Sequence, residues 1–160
     1  MANKHEYTSH LTWNGNLGTG TSTYAGYGRD YTIAIDGKPP LHGSADPMFR
    51  GNRELPNPED LFVAALSSCH MLSYLALCAR QGVSVLSYED DATGVLAFTA
   101  DGGGSFEQVT LNPIVTIADG DKQSLAESLH DEAHRLCYIA SSSRTPVNHA
   151  AVVNISLEAQ

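Results

Sequence analysis

The residues with the most chemistry to offer in this chain are two cysteines. Cys69 stands in Ser67-Ser68-Cys69-His70 and Cys137 in His134-Arg135-Leu136-Cys137. A thiolate is a nucleophile, and peroxides oxidise it to a sulfenic acid that a second thiol can convert to a disulfide. Cys69 is therefore a candidate peroxide-reducing thiol, and Cys137 a candidate partner that resolves its oxidised form. Such a pairing needs the two Cα atoms within about 7 Å. Free cysteines also serve as small core residues, so both readings stand at this level. Cys78 follows Cys69 by nine residues. On a helix that is about 180° of rotation, which turns Cys78 away and makes it a core residue.

A metal centre is the rival use of these groups, because Cys69, His70, His134 and Cys137 are all zinc-type ligands. Adjacent Cys69 and His70 diverge by about 100° on a helix, whereas His134 and Cys137 at i and i+3 can converge. Two or three ligands can be assembled this way and four cannot, so no metal is expected. The other histidines are scattered in sequence and read as surface residues. Arg29 in Gly28-Arg29-Asp30, Arg50 in Phe49-Arg50-Gly51 and nearby Arg53 are ordinary solvated charges unless one of them reaches Cys69, where it would raise the thiolate fraction. Glu59 is a favourable first-turn acid that could also grip an arginine in a bidentate pair.

These groups need elements to position them. Asn57 is a good N-cap, Pro58 a good first helical residue, and Glu59 and Asp60 suit the positive end of a helix dipole. Gly82 is a natural stop. The helix expected over Pro58–Gln81 spans about 36 Å and is apolar nearly all round, which predicts burial on most faces. Leu61 to Ala79 has no charged residue, but Ser67, Ser68, His70 and Ser73 crowd its centre, which argues against a membrane span. Before it, alternation in Tyr7–Trp13 and Tyr31–Ile35 predicts strands, with turns at Asn14-Gly15 and Asp36-Gly37. Residues 38 to 57 read as an ordered loop. After it, Val85–Tyr88, Thr93–Ala100 and Phe106–Ala118 read as strands, with a hairpin at Gly102-Gly103-Gly104 and an edge or bulge at Pro113. A second helix starts near Asp121 with Leu125, Leu129, Ala133, Leu136 and Cys137 on one face, and Ala150–Leu157 is a last strand. That order predicts an α+β fold in one domain, 1–160.

The 160 residues suffice for a sizeable core, and 42% are hydrophobic, as in a folded globular chain. A net charge of −9 with no basic run excludes a nucleic-acid partner. The polar start, without an apolar stretch, predicts a cytoplasmic protein. Three cysteines without tight spacing do not make a disulfide framework.

Together these residues resemble the OsmC/Ohr family, the osmotically inducible and organic hydroperoxide resistance proteins. Asn57-Pro58-Glu59-Asp60-Leu61-Phe62, then Ala64-Ala65 and Ser68-Cys69, is similar to the family's Asn-Pro-Glu segment leading to its peroxide-reactive cysteine. Cys137 sits late in the chain like the family's resolving cysteine, and Gly28-Arg29-Asp30 resembles the arginine segment of the Ohr branch. Departures at His70-Met71 and Tyr138-Ile139-Ala140 suggest a side branch.

The resemblance implies two central helices wrapped by antiparallel-rich sheets in an intertwined homodimer. It implies cofactor-free reduction of organic hydroperoxides at Cys69, a Cys69–Cys137 disulfide, and regeneration by a dithiol such as a lipoyl protein. Glu59 and Arg29, with Arg50 in reserve, are then the catalytic companions of the two cysteines. Phe62, Met71, Leu72 and Tyr74 are the expected lining of an apolar substrate cleft. Glu59 and Cys69 are separated by about 15 Å of helical rise, so a shared site in the dimer is expected, with Glu59 of one subunit serving Cys69 of the other. A family-shaped module that binds a lipid-like ligand, or a redox sensor, is the alternative.

Overall fold

The computed structural model describes residues 4–156. The chain divides into two compact units at Leu61/Phe62. The division falls inside the long first helix.

The first unit holds one antiparallel sheet of β1 (His10–Trp13), β2 (Tyr31–Ala34) and β3 (Leu41–Gly43), in that order. Trp13 pairs with Tyr31, and Tyr31 with Gly43. Asn14-Gly15 is not the tight hairpin its sequence suggests. Asn14 N donates to Asp30 O and Gly28 N to Gly15 O, both at 2.8 Å, so the β1–β2 ladder continues past the dipeptide. The glycine serves close approach: a Cβ on Gly15 would lie 1.8 Å from Gly28 O. Asp36-Gly37 does form the expected turn, with Lys38 N donating to Ile35 O at 3.0 Å and Gly37 at φ 71. The stretch read as a loop contains β3 and a 3-10 turn, Pro47–Phe49, where Asp46 Oδ1 accepts from Met48 N at 2.7 Å.

The first unit ends in the start of α1 (Pro58–Arg80). Asn57 Oδ1 accepts from Asp60 N at 2.8 Å, and Asp60 Oδ2 accepts from Asn57 N at 3.0 Å. This reciprocal pair is a capping box that satisfies two amides otherwise orphaned at a helix start.

In the second unit α1 ends as its sequence requires. Gly82 is at φ 69, Val83 N donates to Cys78 O at 2.9 Å and Gly82 N to Ala79 O at 3.3 Å. Both bonds of a Schellman stop are present. The buried residues of α1 are Leu66, His70, Tyr74 and Cys78, a stripe at every fourth position. The opposite stripe, Ala64, Ser68 and Leu72, is exposed in this chain. By length and apolar composition α1 could cross a membrane; its buried stripe packs instead into the protein core.

The strands that follow are three long ribbons broken at one level. β4 (Val85–Asp90), β7 (Pro113–Ile117) and β9 (Val152–Ile155) form one sheet in the order β4-β7-β9. β5 (Thr93–Phe98), β6 (Gly104–Leu111) and β8 (Val147–His149) form the other, in the order β5-β6-β8. β4–β7 and β5–β6 are antiparallel, and β6–β8 and β7–β9 are parallel. The expected strand 106–118 is thus two strands, and Pro113 opens a central strand where no amide donor is needed from it. Asn112 fills the break, its N donating to Asp90 Oδ1 at 2.7 Å and its Nδ2 to Asp91 O at 2.8 Å. The glycine hairpin between β5 and β6 is present, with Gly102 at φ 85 and Thr99 N donating to Gly103 O at 2.9 Å. The strand expected at 150–157 is β9; its end at Leu157 lies outside the described residues.

α2 (Gln123–Leu136) follows a 3-10 turn at Gly120–Lys122, and α3 (Tyr138–Ser141) follows α2 directly. Of the expected α2 face, Leu129, Ala133 and Cys137 are buried, with Ala126 and His130 beside them, whereas Leu125 is exposed. Tyr74, Cys78, Val115, Ile117, Ala126, Leu129, Ala133 and Val153 form one apolar cluster, and Leu66, Val109 and Leu111 a second.

The capping box gives a stability prediction. Asn57→Ala should cost about 1 kcal/mol in urea unfolding, and Asn57→Ser should retain most of the stability.

Candidate active site

The second unit brings the two chemically interesting cysteines together. Cys69 sits midway along α1 and is partly exposed, whereas Cys137 is 1% exposed. The Cys137 and Cys69 thiols are neighbours, close enough for Cys69 to raise the Cys137 thiol. All three cysteines are free thiols. Cys78 is fully buried among apolar neighbours, on the stripe that faces the core.

Cys137 owes its position to the joint between two helices. Its backbone, at φ −68 and ψ 110, ends α2 and caps α3, and its Sγ accepts from Ala140 N at 3.4 Å. Burial first, and then the contact with Cys69, push the Cys137 thiol up to about 11, while the Ala140 and Ile139 amides pull the other way. At neutral pH Cys137 therefore keeps its proton.

A group of histidines next to this pair was not legible as such. His70 (1% exposed) and His130 (0%) share a 3.1 Å hydrogen bond between Nε2 and Nδ1. Their rings are within 9° of parallel, with centres 5.4 Å apart. With the two nitrogens that close, the rings must lie edge to edge, so the bond is in-plane and nearly linear. Tyr74 stacks on the face of His130 at 3.9 Å and 13°. His149 lies 5.6 Å from His70 and 6.0 Å from both His130 and His134, centre to centre. Its Nε2 meets Asp131 Oδ1 at 3.1 Å. The scattered histidines expected on the surface thus include two that join His70 and His134 in a cluster. One signal did exist: His130 precedes Cys137 by seven residues, within about 20° of the same helical face. Among the described residues no group of three or more His, Cys, Asp or Glu is arranged to hold a metal ion.

The candidate companions fall in the first unit. Arg29 is held on its own loop: its guanidinium lies 3.9 Å over Tyr27 and 4.5 Å over Tyr24. It also donates to Tyr27 O, and to Tyr24 O at 2.7 Å. Arg50 is exposed, and it is the one non-glycine residue with positive φ (67) among the described residues. Arg53 is also exposed. Glu59 is half-buried in the first turn of α1, and after burial itself its charge is the largest influence raising the Tyr31 hydroxyl.

Of the expected substrate-lining residues, Leu72 is 63% exposed and Met71 is partly exposed. Phe62 stacks on Phe106 at 5.1 Å, beside Leu66, Val109 and Leu111. Tyr74 does not line a cleft: it is fully buried under His130. A cavity of about 400 Å³ opens beside α3, bordered by His134, Ala140, Ser141, Thr145, Pro146 and Asn148.

The buried histidines make stability depend on pH. Burial, reinforced by the like charges of His149 and His134, lowers His70 to about 4, with Asp90 opposing weakly. Burial, His70 and His149 lower His130 to about 3. Both rings are neutral in the folded protein, while the unfolded chain protonates both below about pH 6.5. Their contribution is complete above that pH and is lost as pH falls from about 6.5 toward 4. The limiting slope is about 1.4 kcal/mol per pH unit for each proton. Urea unfolding at pH 7, 6 and 5 should show this loss, and His130→Phe should flatten it.

Residues 51–151 match the family described as OsmC-like protein. No match was found among curated proteins. An OsmC-like protein of unknown function from Vibrio cholerae is 33% identical, with 93% of this chain and 100% of that one covered at a TM-score of 0.83. An OsmC-like protein from Mycoplasma pneumoniae is 12% identical, with 96% and 99% covered at 0.73. An organic hydroperoxide resistance protein from Elizabethkingia anophelis is 16% identical, with 98% and 100% covered at 0.69. With its α+β architecture shared and the family match running from Gly51 past Cys137, this chain belongs to the OsmC-like family.

Proposed function

We propose that this chain is a cysteine peroxidase that reduces organic hydroperoxides to alcohols. The observation that carries the proposal is the contact between a partly exposed Cys69 thiol and a buried Cys137 thiol. The Cys69 thiolate attacks the O–O bond and takes the distal oxygen; the alkoxide leaves and gains a proton as the alcohol. The resulting sulfenic acid condenses with the Cys137 thiol, releasing water and forming a disulfide. A dithiol reductant, of which a lipoyl group is one chemical form, returns the pair to thiols by two exchange steps.

Glu59 and an arginine are proposed to activate Cys69. What supports Arg50 over Arg29 is that the Arg29 guanidinium is already engaged by Tyr24 and Tyr27. Arg50 also holds a left-handed backbone that costs an L-residue about 1–2 kcal/mol, a strain retained where a side chain is needed. A homodimer is proposed because α1 leaves Ala64, Ser68 and Leu72 uncovered on the stripe opposite its core face. Leu72, Met71 and Phe62 remain candidates for substrate contact, which favours bulky apolar peroxides.

A thiol-coupled assay tests these roles. Cys69→Ser should reduce turnover of cumene hydroperoxide to background with the fold intact; near wild-type activity would remove the proposal. Cys137→Ser should react once and then over-oxidise at Cys69. Arg50→Ala should lower kcat/KM by about 10²-fold and Arg29→Ala far less. Arg50→Gly should lose the same activity while relieving the backbone, so its Tm stays level or rises. Hydrogen peroxide should be the poorer substrate. Mixed dimers of Cys69→Ser and Glu59→Ala subunits should regain activity if the site is shared.

A further inference from the structure

We propose that the His70–His130 hydrogen bond is a positioning device that sets how readily Cys69 and Cys137 form their disulfide. The inference rests on the thiol-pair reading above and assigns roles to two residues that do no chemistry themselves. His70 is next to Cys69 on α1. His130 precedes Cys137 by two helical turns on the same face of α2. The bond and the thiol pair therefore join the same two helices, from adjacent positions on α1 and from one face of α2. Tyr74 stacked on His130 adds a third contact in line.

The geometry of the pair is directional. An in-plane N–H···N bond of 3.1 Å between rings buried to 1% and 0% exposure fixes both the separation and the rotation of α1 against α2. One neutral ring donates and the other accepts, so no change of charge is needed to make the bond. The same geometry excludes a metal bridge, because the two facing nitrogens point at each other and not at a shared third position. The outer nitrogens, His70 Nδ1 and His130 Nε2, are buried without partners. Such orphaned atoms cost stability, so the polar pair is an expensive way to fill a core, and apolar side chains would fill it more cheaply. What it supplies is a specific register. Cys137 stands at the far end of α2. Its sulfur is placed by α2 and by the α3 amide at Ala140.

The test separates the bond from the ring. His130→Phe keeps a ring for Tyr74 to stack on and removes the hydrogen bond. His130→Asn keeps a donor and acceptor at the Nδ1 position and removes the stack. Wild type and variants are oxidised with diamide, the Cys69–Cys137 disulfide is confirmed by peptide mapping, and its equilibrium with a glutathione redox buffer is measured at pH 7. Both redox forms must be folded by circular dichroism. His130→Phe should weaken the disulfide about 10-fold, which is about 30 mV for a two-electron couple. His130→Asn should lie within about two-fold of wild type, a rescue that a purely space-filling role would not give. If His130→Phe does not fold, His70→Phe and its rescue His70→Gln, which restores a polar group at the Nε2 position, make the same comparison. An unchanged constant in folded His130→Phe, or no rescue by His130→Asn, overturns the inference while leaving the peroxidase reading intact. Failure of wild type to form any Cys69–Cys137 disulfide overturns that reading and this inference with it.

Discussion

The antiparallel contact between α1 and α2 is the constraint on which the second unit depends. Cys69 meets Cys137 and Tyr74 meets His130, so the helices run in opposite directions across one face. Ala126 and Ala133, both fully buried, belong to the same apolar cluster as Tyr74 and Cys78 of α1. Apolar contacts of this kind tolerate sliding, since leucine against alanine is much the same one turn away. A hydrogen bond between two buried rings does not. On the positioning role proposed for these rings, the pairing of thiols follows from a register that packing alone would leave loose.

The sheet holds α1 from another side. Asp90, at the end of β4, accepts from Ser67 Oγ on α1 and from Asn112 N between β6 and β7. One carboxylate thus ties the level of the strand break to a helix position two residues before Cys69. Ser67 is the kind of polar residue whose presence mid-helix argues against a membrane span. Its structural use explains why the most apolar segment of the chain is interrupted where it is.

Much of this was legible because it is local. Asn57, Asp60 and Gly82 mark the ends of α1 through hydrogen bonds that close within three to five residues. The turn at Gly37, the hairpin at Gly102 and the core role of Cys78 follow from the same short-range rules. What failed was non-local. Asn14-Gly15 has the composition of a tight turn, but its partner strand is the distant β2 and its glycine is used for a backbone crossing with Gly28. Pro113 reads as an edge signal, yet a break filled by Asn112 lets it open a central strand. His130 and His149 read as solvated because nothing near them in sequence marks them as partners of His70. Tyr74 was counted toward a cleft for want of any view of the ring above it. The two tyrosines that hold the Arg29 guanidinium are likewise not marked in the sequence as its partners.

The coincident break in the three ribbons has a consequence for what the protein presents to its surroundings. The outer strands are β4 and β9 in one sheet and β5 and β8 in the other, of six, four, six and three residues. In these two sheets no outer strand exceeds six residues, and edges this short are poor templates for a growing intermolecular sheet. Bending each ribbon sacrifices a few ladder bonds, which Asn112 partly restores, and the outer strand β4 also carries the charges of Glu89 and Asp90.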